Sequence, residues 1–175
     1  VVMIDDQFAP LTDKILDAIR GLNDGELRFV INTHVHPDHT GGNENLGKMG
    51  IVILARDEVR VRLSAFSPRD ALPILTYSDS ITIHLNEEEV HAFPVPPAHT
   101  DGDSFIHFRD SDVIHTGDVF RTTAFPVIDI NNGGTLQGTL QALAILVGTA
   151  GPDTQIVPGH GVVSNRMDVM SFRDM

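Results

Sequence analysis

Residues 34–39, His34-Val35-His36-Pro37-Asp38-His39, put three imidazoles and a carboxylate into six positions and run at once into Gly41-Gly42. Ordinary surface has no physical need for such a crowd, and neighbouring imidazolium charges would repel one another. A metal ion resolves the problem, because neutral imidazole and carboxylate are ligands suited to a divalent cation such as Zn²⁺. Successive side chains of an extended segment alternate in direction, so His34, His36 and Asp38 are expected to point one way and His39 another. Such a loop can serve two metals. Three other positions look like partners: His99 in "PPAHTDGD", Asp118 in "HTGDVF" and His160 in "VPGHG". Each follows a predicted strand and adjoins a glycine or a turn, where a side chain is displayed at a sheet edge.

The elements that must position these residues read as alternating strands and helices. "VVMID" is a short buried strand, and "LTDKILDAIRGLN" carries Leu11, Ile15, Ile19 and Leu22 at helical spacing behind Pro10. "LRFVINT" is an apolar run ending at the histidine loop, which completes a βαβ unit with the loop at the carboxyl end of a strand. A short helix "NENLGKMG", a strand "IVILA" and a helical "RDEVRVRLS" follow. From residue 80 the period changes to two in "ITIHL", "EEVHAFPV", "SFIHF" and "DVIHTG", which predicts neighbouring strands. The helix "TLQGTLQALAILVG" is expected to bury Leu136, Leu140, Leu143 and Val147, and "TQIVPGHG" is a last strand feeding a loop.

Bulk properties bound the rest. At 175 residues, 41 % hydrophobic, the chain is long enough for one sizeable core, and a single domain over 1–175 is the expectation. The formal net charge of −12 repels phosphate backbones, so nucleic acid is not an expected partner. There is no cysteine, hence neither a disulfide framework nor a thiolate ligand. Apolar runs such as "LQALAILVG" are far short of the roughly 20 residues of a membrane span. A soluble protein is expected, with cytoplasm and periplasm both open and the oligomeric state undefined. The chain starts in strand sequence without an initiator methionine and stops within a helical pattern, so a piece of a longer protein is expected.

The order His-x-His-x-Asp-His, lone His, Gly-Asp, Gly-His-Gly resembles the metallo-β-lactamase-fold hydrolases from "VVMID" to "VPGHG", on the glyoxalase II-like and B3-like branch with a bridging aspartate. The resemblance implies an α/β fold, the αββα sandwich, here incomplete at both ends. It implies two zinc ions per chain: His34, His36 and His99 hold one, Asp38, His39 and His160 the other, and Asp118 bridges them. Two dications, two carboxylates and one hydroxide leave about one formal positive charge to stabilise an anionic intermediate. The implied reaction is attack of that bridging hydroxide on an ester, thioester, lactone or amide in a small-molecule substrate, with Asp38 also relaying a proton to the leaving group. True β-lactamases of this fold typically carry Cys or Ser where Asp118 stands, so β-lactam hydrolysis is expected only as a weak side activity. The alternative within the family is a persulfide-dioxygenase-like oxidoreductase with one iron held by two His and one Asp. The tRNA-processing members need a basic surface that this charge does not suggest.

Other residues are read around that site. Phe120, Arg121, Phe125 and Asn131 follow the Gly-Asp motif and are expected to line the substrate pocket. Asp5 and Asp6 end the first strand near the histidine loop, where one could orient a ligand histidine. His84, His91 and His107 alternate with apolar residues and are expected to face solvent or satisfied neighbours. His115, three residues before Asp118, is the one of that group placed to support a ligand. Glu87–Glu89 reads as a solvated turn.

Overall fold

Val30 and Ile31 are neighbours on a strand and so face opposite ways, yet both are fully buried, the mark of a parallel strand covered on both faces. In the computed structural model, which describes residues 1–175, they lie in the first of two compact units, Val1–Ser78 and Asp79–Met175. The first unit has four strands in spatial order, all parallel: β1 (Val2–Ile4), β2 (Phe29–Asn32), β3 (Val52–Arg56) and β4 (Leu75–Tyr77). Parallel neighbours need crossovers. These are α1 (Thr12–Leu22), the short α2 (Pro37–Thr40) and α3 (Asn43–Lys48), and α4 (Asp57–Leu63). Val30 packs with Leu16 of α1 and Leu46 of α3, while Ala55 packs with Val35 and with Val59 and Leu63 of α4.

The inward stripe of α1 differs from the expected one. Thr12 and Leu16 are buried, Ile15 and Ile19 lie at the margins, and Leu22 is 88 % exposed. The stripe is rotated because Thr12 can go inside: its hydroxyl donates to the Ala9 carbonyl, in the turn that Pro10 helps to start, and so needs no water.

The second unit is a five-stranded sheet in sequence order: β5 (Ile81–Leu85), β6 (Glu88–Pro94), β7 (Ser104–Phe108), β8 (Val113–His115) and β9 (Gln155–Val157). Pairing is antiparallel as far as β8, and β9 runs parallel to β8 because α5 (Leu136–Thr149) lies in the connection between them. The turn between β5 and β6 has Asn86 and Glu87 both at positive φ, 57° and 61°, the geometry of the two-residue hairpin. Only Glu87 of the acidic run is therefore in a turn. Glu88 and Glu89 open β6, and the Glu88 carboxylate accepts from the backbone of Asp110 and Ser111.

The core of this unit forms where α5 and α6 (Arg166–Arg173) cover β7, β8 and β9, with Leu143, Leu146 and Val169 against Phe105, Ile114 and Ile156. α5 buries Gly138, Thr139, Ala142, Leu143, Leu146 and Val147, whereas Leu136 and Leu140 of the expected stripe are exposed. Gly138 sets this rotation, since a Cβ there would lie 1.7 Å from the Pro97 carbonyl oxygen. No helix is long and apolar enough to cross a membrane.

Candidate metal centre

The histidine loop leaves the carboxyl end of β2 and is extended only as far as His36, whose ψ is 151°. Pro37 then starts the helical turn α2, so the expected strand-like alternation does not continue to Asp38 and His39. Proline at the first helical position causes this, because its fixed φ and missing N–H suit a helix start. The turn still gathers the donors. The ring centroids of His34 and His39 are 4.1 Å apart and those of His34 and His36 4.9 Å, and Asp38 Oδ2 lies 3.5 Å from His39 Nε2.

Two carboxylates after β1 hold this loop. Asp5 has a φ of 57°, a left-handed conformation that aspartate tolerates better than most residues. Its carboxylate accepts from Thr33 N (2.7 Å), Thr33 Oγ1 (2.8 Å) and His39 Nδ1 (2.7 Å). The consequence is a defined tautomer at two rings. With the Thr33 hydroxyl hydrogen given to Asp5, the 3.0 Å contact of Thr33 Oγ1 with His34 Nδ1 must be donated by the ring. As neutral rings, His34 and His39 both carry hydrogen on Nδ1 and a lone pair on Nε2, and His34 Nε2 lies 3.2 Å from His36 Nδ1. Backbone support comes from Asn32, which donates to the His39 carbonyl and accepts from Asn43.

Asp6 accepts at Oδ1 from Gly42 N, 2.9 Å, while Oδ2 is buried without a partner. Burial raises its pKa from 3.8 to about 8, with the Gly42 N–H opposing and the Asp5 charge adding to the shift. The folded value lies above the unfolded one, so the protonated acid belongs to the folded state. Its stabilising contribution is complete below about pH 4 and is lost as pH rises toward about 8. Asp6→Asn keeps the acceptor for Gly42 and cannot ionise. In protein stripped of metal, urea unfolding at pH 5 and pH 8.5 is expected to show a loss of stability in the parent that the variant lacks; equal losses would contradict the buried acid.

In the second unit, His99 lies in the loop after β6, Asp118 in a 3₁₀ turn (Gly117–Val119) after β8, and His160 after β9. Asp118 Oδ2 is 3.2 Å from His160 Nε2 and 3.7 Å from His99 Nε2, and the carboxylate is buried. His99 Nδ1 lies 2.7 Å from the Val127 carbonyl, which can only accept. In the neutral ring Nε2 then bears the lone pair, 3.7 Å from Asp118 Oδ2. The loop is fixed by Asp103, which accepts from Thr100 N and Thr100 Oγ1, and by Gly134, where a Cβ would lie 2.2 Å from the His99 carbonyl oxygen. His115 Nδ1 accepts from Gly117 N and so steadies the turn that carries Asp118.

The other expected residues fall in two places. Phe120, Arg121 and Phe125 line one groove after Asp118, and Asn131 lies apart from it in the turn Ile130–Asn132. His84 is exposed beside Glu89, and His91 is paired with Thr82. Desolvation by burial lowers the pKa of both His91 and His107. Three imidazoles thus place Nδ1 on a protein acceptor, as metal-ligating histidines do with one ring nitrogen. The donor set suits zinc or iron and excludes a thiolate site.

A family model described as the metallo-beta-lactamase superfamily matches residues 8–160. Among solved structures, a metallo-beta-lactamase from Pontibacter korlensis aligns with a TM-score of 0.86 at 17 % identity, covering 99 % of this chain and 81 % of that one. TMB-1 aligns at 0.81 and 18 %, with 99 % and 79 % covered, and the DIM-1 metallo-beta-lactamase at 0.81 and 16 %, with 99 % and 81 % covered. At such identities the likeness is one of fold, and the fold is the α/β one with two sheets that the sequence implied.

Proposed function

The chain belongs to the metallo-β-lactamase superfamily, and on that premise we propose that it is a hydrolase with a dinuclear zinc site that cleaves an ester, thioester, lactone or amide of a small molecule. In this reading His34, His36 and His99 hold one ion, Asp38, His39 and His160 hold the other, and Asp118 serves both. The observation that supports it is that His34, His39 and His99 each turn Nδ1 to a protein acceptor, which in the neutral ring makes Nε2 the atom able to bind an ion. When bound, such ions lower the pKa of a water to about 7 and supply positive charge for an oxyanion.

The chain's own residues have distinct tasks. Asp5 holds His39 and, through Thr33, His34, so two ligand rings share one anchor. The Val127 carbonyl does the same for His99. Asp38, a quarter exposed, can take a proton and hand it to a leaving group. Asp118 supplies a carboxylate where, by the resemblance, β-lactamases of this fold carry Cys or Ser, which favours acyl esters, thioesters and lactones over β-lactams.

Elemental analysis together with a hydrolysis screen tests this. About two zinc ions per chain are expected, with turnover of an ester, thioester or lactone that a chelator removes and zinc restores. About one iron per chain, with oxygen consumed on a persulfide substrate, would replace the proposal by the dioxygenase reading.

A further inference from the structure

Residues 121–130, which leave the turn that carries Asp118, contain no buried side chain, and residues 122–129 belong to no helix or strand. A segment with so little apolar anchorage keeps its order only where its backbone is held by something else. Here it is held at two places. At one end Thr122 N donates to the His160 carbonyl at 3.0 Å, and Thr122 Oγ1 accepts from Val162 N at 3.0 Å. At the other, the Val127 carbonyl accepts from His99 Nδ1 at 2.7 Å, and Asp129 N donates to the His99 carbonyl at 2.9 Å. Asp129 is aimed by its own carboxylate, which accepts from Asn132 N at 3.1 Å and Asn132 Nδ2 at 2.6 Å. Between the two ends lie Phe125, 75 % exposed, and Pro126, whose ring stiffens the span.

The segment is therefore a strap tied to two histidines, and in the proposed assignment those two serve different ions. A cation on Nε2 of His99 fixes the tautomer that donates from Nδ1, and it makes that N–H the stronger donor to Val127. Without the cation the ring proton is free to move to Nε2, which removes the donor. A cation on His160 restrains a residue between two glycines, Gly159 and Gly161, whose carbonyl holds Thr122. Linkage makes the effect reciprocal: whatever the ordered strap adds to ion affinity, the ion adds to the order of the strap.

We propose that residues 121–130 are a metal-responsive strap, ordered when His99 and His160 both hold an ion, loosened at one end by loss of either, and itself raising the affinity of both sites. This rests on the dinuclear reading.

The test is amide hydrogen exchange, resolved by residue, on the chelator-stripped chain titrated with zinc chloride, with bound zinc measured at each step. The amides of Thr122 and Asp129 are expected to exchange at least about tenfold more slowly once zinc is bound. The amides of Ser64 and Asp174, which end α4 and α6 and open by local fraying, are expected to change little. Pro126→Gly alters no ligand and no tie, and is expected to weaken zinc binding about two- to fivefold, because a looser strap loses more entropy on ordering. Asp129→Ala releases the His99 end and is expected to weaken it about tenfold, with Asp129→Asn, which keeps the acceptors for Asn132, restoring most of the loss. Bound zinc that slows Thr122 and Asp129 no more than Ser64 and Asp174 overturns the proposal, as does unchanged zinc affinity in a folded Pro126→Gly or Asp129→Ala. A chain that binds no zinc overturns the dinuclear reading and the strap with it. A strap protected by zinc in a chain that hydrolyses no ester, thioester, lactone or amide refutes the hydrolase reading and leaves the strap standing.

Discussion

Asp118→Asn is expected to reduce hydrolysis by well over tenfold and to cost the protein one metal before the other. The substitution keeps the size of the side chain and removes its charge. In the folded protein Asp118 Oδ2 faces the Nε2 atoms of His160 and His99 at 3.2 and 3.7 Å. A neutral amide in that place offers either a weaker ligand oxygen or an NH₂ that competes for the imidazole lone pairs. In the proposed assignment His34, His36 and His99 remain a complete set without it, whereas Asp38, His39 and His160 lose the carboxylate they share. Second-site support around a metal typically changes affinity or activity by about 10–100-fold, and a direct bridging ligand should sit at or beyond the upper end of that range. Zinc content, turnover and thermal unfolding are measured together, so that loss of metal is separated from loss of fold. Full zinc content and full turnover would show that Asp118 is not a bridging ligand.

What was legible in the chain follows from what each feature demands of residue type. With no cysteine, metal donors must be His, Asp or Glu, and the crowding of residues 34–39 together with the order of His99, Asp118 and His160 marked His34, His36, Asp38, His39, His99, Asp118 and His160 as candidates before any fold was known. Strands with clean alternation were equally plain, since β5 and β7 occupy the very residues of "ITIHL" and "SFIHF". β4 was not, because it is an edge strand of three residues in which only Tyr77 is buried, and three residues hold no period. The helical turn α2 is also too short for periodicity, and its one signal was Pro37 at the helix start.

Support for the donors was harder to see, for a different reason. The acceptor for His99 is a backbone carbonyl 28 residues away, and any residue could have supplied it. Asp5 was visible as a carboxylate near the loop, but Thr33 as the relay between Asp5 and His34 depends on a hydroxyl direction that only the fold sets. The rotations of α1 and α5 belong to the same class. A buried threonine satisfied by Ala9 and a glycine against Pro97 decide which side faces inward, and hydrophobic spacing cannot register either.

Gly159→Ala should disable the protein as fully as the loss of Asp118, although it adds only a methyl group. An ideal Cβ at Gly159 would lie 2.0 Å from Asp118 Oδ1 and 2.8 Å from the Gly117 carbonyl carbon and oxygen. The Asp118 oxygen could swing away, but the Gly117 backbone is tied down, because Gly159 N donates to its carbonyl at 2.8 Å and Gly117 itself sits at a φ of 52°. Something must move, and either Asp118 leaves the imidazoles or the loop moves with His160 on it. Overpacking of this kind costs about 1–3 kcal/mol, so the variant should still fold, with a lowered melting temperature. Gly148→Ala is the matched control. It makes the same chemical change near the end of α5, where nothing lies within 4 Å of the new atom, and it should stabilise the helix by about 0.5 kcal/mol. Melting temperature and zinc content are therefore expected to fall in Gly159→Ala, with the melting temperature rising slightly and zinc unchanged in Gly148→Ala. Normal metal content and turnover in a folded Gly159→Ala would mean that Asp118 does not need the position in which Gly159 confines it.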